Sequence, residues 1–87
     1  MNKLAAEWVR KAEDDYIAAT RLRRGRTPLH DIVCFHCQQC AEKYLKALMQ
    51  ELGLHIPKTH DLDNLLSILL PHHPSIAPIQ PDLSVLN

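Results

Sequence analysis

The chain has 87 residues, in which ten lysine and arginine residues balance ten aspartate and glutamate residues. This length allows one small domain, and the core of such a domain is often completed by a partner chain. The zero net charge gives no overall attraction to nucleic acid or to a membrane. No apolar run approaches the roughly 20 residues of a transmembrane helix, and the N-terminus lacks the apolar segment of a signal peptide. A cytoplasmic protein is therefore expected. Its three clustered cysteines are expected to be reduced thiols, because they do not make a disulfide framework.

The first predicted element is an amphipathic helix from about Lys3 to Arg24. Its apolar positions share an arc of roughly 140° at 100° per residue. They are Leu4, Ala5, Trp8, Val9, Ala12, Tyr16, Ala19 and Leu22. Most charged residues lie outside this stripe, whereas Asp15 lies at its margin. Gly25 and Pro28 then predict a tight connection to the next helix.

A second helix is predicted from His30 or Asp31 to about Leu52, with Gly53 as its C-terminal cap. The two long helices would form an antiparallel hairpin. The apolar stripe of the second helix contains Cys34, Cys37, Cys40, Ala41, Tyr44, Leu45, Leu48 and Leu52. The thiols are thus predicted to be buried as small hydrophobes. Their spacing also occurs in iron–sulfur loops, but on a helix the first and last lie about 9 Å apart along the axis, too far to share one ion.

The opposite face of the second helix is a polar ridge, in which all members fall within roughly 80°. These members are His36, Gln39, Lys43, Lys46 and Gln50. One interpretation is solvent exposure, with Glu42 and Lys46 as an i,i+4 ion pair. A second is contact with a phosphate or nucleotide through the two lysines and His36. A third is a role in an interface. Gln38, at the edge of the apolar stripe, is predicted to bind a buried polar partner such as Asp15.

After Pro57, a third helix is predicted to begin at a Thr59 or Asp61 cap and to end at Pro71. It carries Leu62, Leu65, Leu66, Leu69 and Leu70. His60 beside Asp61 has the composition of a general base with its carboxylate, but neighbours on a helix do not face one another, so capping is the preferred interpretation. Residues 71–81 hold four prolines and are predicted to be irregular and extended. Residues 82–87 would begin a further helix without completing it.

Three blocks in this order resemble the HEPN family (higher eukaryotes and prokaryotes nucleotide-binding domain). They are Trp8-x-x-Lys11-Ala12-Glu13-Asp14-Asp15, the block from Phe35 to Leu48 containing Phe35-His36-x-Gln38-Gln39-x-Ala41-Glu42-Lys43, and Pro57-Lys58-Thr59-His60-Asp61-Leu62. The resemblance implies an all-α, up-and-down antiparallel bundle of four or five helices, with three of them in the single domain 1–87. It also implies a homodimer. A minimal nucleotidyltransferase antitoxin and a nucleotide or RNA are candidate partners.

Many members of that family resemble RNase toxins of toxin–antitoxin modules, whose Arg-x4-6-His motif on a late helix cuts RNA without metal. In this sequence, the position where that late helix would follow lies after Asn87. Arg24 and His30 satisfy the spacing, but Gly25 and Pro28 lie between them in the connection of helices one and two. We therefore expect a catalytically incomplete, nucleotide- or RNA-associated domain with no catalytic residue, cofactor or metal assigned. Two alternatives stay open: a fragment of a longer metal-independent ribonuclease toxin, and a metal-binding helical protein using Cys34, Cys37, Cys40 and His36.

The predicted nucleotide- or RNA-binding residues are Asp15, His36, Gln39, Lys43, Lys46 and His60. Asp15 enters this set from the family pattern, as the polar residue of the first helix that faces the active-site region. Three helices with wide apolar stripes would leave hydrophobic surface uncovered in a monomer. The leucine-rich third helix and the stripe of cysteines and leucines are therefore predicted to be shared between copies of the chain.

Overall fold

The architecture is a long helical hairpin with two short helices packed against one end. The structure is a computed structural model that describes residues 1–26 and 29–87. It contains α1 (Lys3–Arg23), α2 (His30–Glu51), α3 (Leu62–Leu69), a 3₁₀ helix (Pro74–Ile79) and α4 (Gln80–Leu86). The all-α prediction is confirmed. The expected count of three helices is wrong, since the described residues form four α-helices and a 3₁₀ helix.

The bounds of α1 and α2 follow from local capping signals. Asn2 caps α1 by accepting a hydrogen bond from the amide of Ala5 at 2.8 Å. At the end of α2, Gly53 adopts a positive φ of 72°. The amides of Gly53 and Leu54 there donate to the carbonyls of Gln50 and Met49, which is the Schellman motif. The predicted glycine cap is therefore confirmed, whereas Thr27 and Pro28 of the predicted α1–α2 connection lie outside the described residues.

Small side chains allow α1 to lie close along α2. Ala5, Ala12 and Ala19, spaced seven residues apart on one face of α1, are all buried. The helices run antiparallel, because Asn2 contacts Gln50 while Asp15 contacts His36. This close approach brings the one buried carboxylate of α1 against the polar ridge of α2.

The hydrophobic core lies at the C-terminal half of α2, where α3 and α4 pack against it. Its buried members are Leu45, Met49, Leu62, Leu65, Leu66, Leu69 and Leu83. The four leucines from α3 are completely inaccessible to solvent. The prediction that the third helix forms a surface shared between copies is therefore wrong, because this chain's own α2 and α4 already cover its leucines.

The proline-rich segment is helical where an extended conformation was predicted. Pro74 and Pro81 occupy the first turns of the 3₁₀ helix and of α4. A missing amide proton costs little at these positions, so the prolines start helices instead of preventing them. The short α4 then binds the start of α3: Ser84 donates to Asp63, and the Asn87 side chain bonds Asp61 and the amide of Leu62.

The other end of the hairpin keeps part of its apolar stripe exposed. Cys34 is exposed, and Cys37 and Cys40 are partly buried, while Tyr16 and Phe35 are 64% and 57% exposed. The predicted full burial of the thiols is thus wrong, most clearly at Cys34. Its physical reason is that α3 and α4 cover only the opposite half of α2, so α1 is the only described helix that packs against this stretch.

Candidate functional site

The first polar cluster joins the middle of α1 to α2. Asp15, 8% exposed, accepts hydrogen bonds from Lys43 Nζ at 2.5 Å and from His36 Nδ1 at 2.8 Å. His36 and Lys43 lie seven residues apart and therefore on the same face of α2. We call Asp15, His36 and Lys43 the Asp15 cluster.

The electrostatics of the Asp15 cluster keep the carboxylate ionised. Burial alone would raise the pKa of Asp15, but hydrogen bonds and charge interactions with Lys43 and His36 outweigh it and hold that pKa below its ordinary value. An ionised carboxylate only accepts hydrogen bonds, so Nδ1 of His36 must carry the proton. This arrangement fixes the imidazole orientation and leaves Nε2 of His36 available to another group.

A second cluster adjoins the first on α2, where Glu42 directly precedes Lys43. Glu42, only 3% exposed, accepts hydrogen bonds from Lys46 Nζ at 3.1 Å and from His60 Nδ1 at 2.9 Å. The predicted Glu42–Lys46 pair is thus formed, but both residues are buried and the pair is not a surface feature. The Lys46 ammonium also lies over the ring of Trp8, 5.6 Å from its centroid. We call Glu42, Lys46 and His60 the Glu42 cluster.

Two glutamines of α2 connect this helix to the chain segment before α3. Gln39 Nε2 donates to Gln38 Oε1 at 2.9 Å, and Gln38 Nε2 donates to the carbonyl of His60 at 2.8 Å. The prediction that Gln38 binds Asp15 is wrong, because the Gln38 amide donates to the His60 carbonyl, while His36 and Lys43 are the partners of Asp15. Gln38 instead fixes the backbone that presents the His60 ring.

The polar ridge is therefore not a uniform solvent-exposed face. Lys46 is buried, and the side chains of Lys43 and His36 are 22% and 27% exposed. Among the predicted binding residues, His60 lies on the loop before α3, and its side chain is 76% exposed. The predicted capping holds, since Asp61 caps α3 by accepting from the amides of Asp63 and Asn64.

A family model, described as the HEPN domain, matches residues 5–87. The chain belongs to the HEPN domain family. No curated protein and no solved structure matches it. The three sequence blocks that resemble the family correspond to the Asp15-bearing part of α1, the polar face of α2 and the loop that carries His60. In this HEPN domain the blocks meet in space through the two clusters.

Sequence reasoning missed the importance of two residues of this HEPN domain. The sequence predicts no site role for Glu42 beyond an ion pair and a place in a family block, yet it is the buried acceptor for both Lys46 and His60. The sequence pattern predicts Trp8 only as part of the apolar stripe, yet its ring faces a buried ammonium. The available signal was the i,i+4 spacing of Gln38, Glu42 and Lys46, which places a carboxylate between two donors on one helix face.

The structure gives the metal-binding alternative no support. Among residues 1–26 and 29–87, no group of three or more histidine, cysteine, aspartate or glutamate side chains is arranged to hold a metal ion. His36, the fourth residue of that alternative, already bonds Asp15. No helix in the described part of the chain is long and apolar enough to cross a bilayer.

Proposed function

We propose that this HEPN domain is a nucleotide- or RNA-binding module, and that the Asp15 cluster is its contact site. The observation that carries the proposal is the pairing of Asp15 with both His36 and Lys43, which holds an imidazole and an ammonium side by side on α2 with each partly accessible. Both groups are suited to phosphate or to a nucleobase edge. His60, held by the adjoining Glu42 cluster, supplies a third accessible donor or acceptor.

The cluster residues have separate roles in this proposal. Asp15 positions the two α2 side chains and does not itself contact the ligand. Lys43 supplies charge, while Nε2 of His36 donates to or accepts from the ligand because Nδ1 is committed to Asp15. Gln39 lies beside them and orders the loop through Gln38. Lys46 is buried, so its proposed contribution is indirect, through Glu42 and His60.

The test is RNA binding by the purified chain, measured as the fluorescence anisotropy of a labelled single-stranded RNA at low salt. His36→Gln is the informative variant, since Asp15 keeps its bond to Lys43 when the imidazole is removed. We expect it to weaken binding by about tenfold, the loss typical of one good hydrogen bond to a charged group. His72→Gln, a change at an exposed histidine far along the chain, is the matched control.

Two results would contradict the proposal. One is a wild-type chain that binds neither RNA nor nucleotides at low salt; the other is equal affinity for the His36→Gln and His72→Gln variants. The RNA is also recovered and sized after each measurement. Cleavage that His60→Gln abolishes would show a ribonuclease and would overturn the proposal of a module that only binds.

We also propose that the domain is a homodimer. Support comes from large apolar side chains left exposed on the hairpin, Ile17, Ile32 and Phe35 among them. Light-scattering mass measured over a range of concentrations tests this proposal directly. A monomer at all concentrations would contradict it. A minimal nucleotidyltransferase antitoxin stays a candidate partner that co-purification from its native host would reveal.

A further inference from the structure

The end of the hairpin carries a concentration of positive charge that neither cluster uses. Four of the five arginines of the chain, Arg21, Arg23, Arg24 and Arg26, lie within six residues at the C-terminal end of α1. All four are exposed. We call these four residues the arginine tip. A chain with zero net charge therefore has one strongly basic end.

The arginine tip is not neutralised within the described part of the chain. The nearest acidic residues of α1 are already engaged: Asp14 pairs with Arg10, and Asp15 pairs with Lys43 and His36. None of the ion pairs among residues 1–26 and 29–87 includes an arginine of the tip. Successive helical residues turn by about 100°, so these side chains point in several directions around the helix end. Like charges held this close repel one another, and a bound polyanion relieves that repulsion.

A cleft beside the arginine tip adds an aromatic surface. It has a volume of about 180 Å³ and is lined by Tyr16, Ala19, Thr20, Arg23, Val33 and Cys37. Tyr16 and Arg23 lie two helical turns apart on the same face of α1, so the cleft has a phenol at one end and a guanidinium at the other. The Tyr16 ring is 64% exposed and is therefore free to stack. The Thr20 hydroxyl donates to the Tyr16 carbonyl and keeps its lone pairs for a ligand.

We infer that the arginine tip and the Tyr16 cleft together bind single-stranded RNA, with phosphates on the arginines and one base stacked on Tyr16. Arginine binds phosphate through two parallel hydrogen bonds, and aromatic side chains stack on any base. The combination of a basic tip with an adjoining aromatic cleft favours RNA over an anionic membrane, which offers phosphates but no bases. This inference rests on the proposed RNA-binding function and extends the contact surface along α1 beyond the Asp15 cluster.

The experiment measures the salt dependence of RNA affinity. For single strands the slope of log K against log salt is about −0.7 for each phosphate neutralised. The variant Arg21→Gln/Arg23→Gln/Arg26→Gln should reduce the magnitude of that slope by about 2 and weaken binding at least tenfold at roughly 50 mM salt. Lys3→Gln/Lys11→Gln/Lys58→Gln removes the same charge from exposed positions elsewhere and should leave the slope within about 0.5 of the wild-type value. Circular dichroism spectra of both triple variants serve as the control that they remain helical.

Tyr16 is tested separately, because stacking does not depend on salt. Tyr16→Ala should weaken binding of an RNA of roughly 12 nucleotides by about tenfold with an unchanged salt slope, and Tyr16→Phe should bind as the wild type does. Vesicles of phosphatidylglycerol serve as the second ligand. Preferential loss of vesicle binding in the arginine variant, with RNA binding intact, would overturn the inference in favour of a membrane.

The outcomes separate this inference from the proposed function. Equal slopes for the arginine and lysine triple variants, while His36→Gln still weakens binding, would overturn the arginine tip and leave the Asp15 cluster standing. A reduced slope with His36→Gln at wild-type affinity would support the tip and overturn the cluster as the contact site. A wild-type chain that binds no RNA would overturn both.

Discussion

Replacing Asp15 by asparagine removes one negative charge from the centre of the hairpin while keeping the shape of the side chain. Asp15, 11% exposed at its side chain, would no longer compensate the ammonium of Lys43, which is 22% exposed. Removing one partner of a fully buried ion pair costs about 3–5 kcal/mol, whereas exposed pairs contribute about 0.2–1 kcal/mol. Because this pair is only partly exposed, we expect the free energy of unfolding to fall by about 2 kcal/mol, between these two limits.

The neighbouring residue provides the control. Asp14 pairs with Arg10 at 3.4 Å, but its side chain is 67% exposed. Asp14→Asn changes the same charge at the next position and should cost less than about 0.5 kcal/mol. Urea unfolding followed by the fluorescence of Trp8 measures both variants. For a domain of this size, the Asp15→Asn loss corresponds to a fall in Tm of about 10 °C.

The pH dependence of this loss has a defined sign. The pKa of Asp15 in the folded chain is held below 3.8, its ordinary value, by Lys43 and His36 despite burial. The ionised carboxylate therefore stabilises the fold above that value, and the stabilisation disappears as the pH falls through the lower folded-state pKa. The free-energy difference between wild type and Asp15→Asn should shrink below about pH 4. Equal stability of the Asp15→Asn and Asp14→Asn variants at neutral pH would refute the reasoning.

Three further results are expected. Glu42→Gln should cost about 3–5 kcal/mol in urea unfolding, because it leaves the Lys46 ammonium buried without its carboxylate; a loss below about 1 kcal/mol would contradict that burial. Leu66→Ala should cost about 2–5 kcal/mol in the same assay, since the removed side chain is fully enclosed, and a neutral result would mean that α3 is not packed as described. Thiol labelling should modify exposed Cys34 faster than Cys40, because the pKa of the Cys40 thiol is raised by burial and further by Asp15 and Cys37. Mass mapping of the labelled peptides measures the two rates, and faster labelling of Cys40 would contradict the prediction.

The helix boundaries could be predicted because they depend on neighbours in sequence. The Gly53 and Asp61 caps are local signals, and the structure places helix ends at both. The prediction that residues 71–81 are extended is wrong because proline, which disrupts the interior of a helix, is favourable in its first turn. Pro74 and Pro81 both occupy such positions here.

The site could be predicted only in part, because periodicity identifies a face of a helix but not what covers that face. Cys34 lies on the apolar side of α2, yet no helix among the described residues packs over it. Lys46 lies on the polar side, yet it is buried with Glu42 beneath Trp8. The choice of His36 over Gln38 as the partner of Asp15 depends on how α1 is rotated against α2, which is a tertiary property.

Because the core lies at one end of the hairpin, the two ends should differ in how well they tolerate amino-acid substitutions. Leu45, Leu48 and Met49 take part in the cluster formed with α3 and α4, so most substitutions there disturb several neighbours at once. Arg21 and Ile32 are exposed and lie outside that cluster, so replacing them should change the free energy of unfolding little. New recognition properties can therefore arise at the projecting end while the packed end continues to maintain the fold.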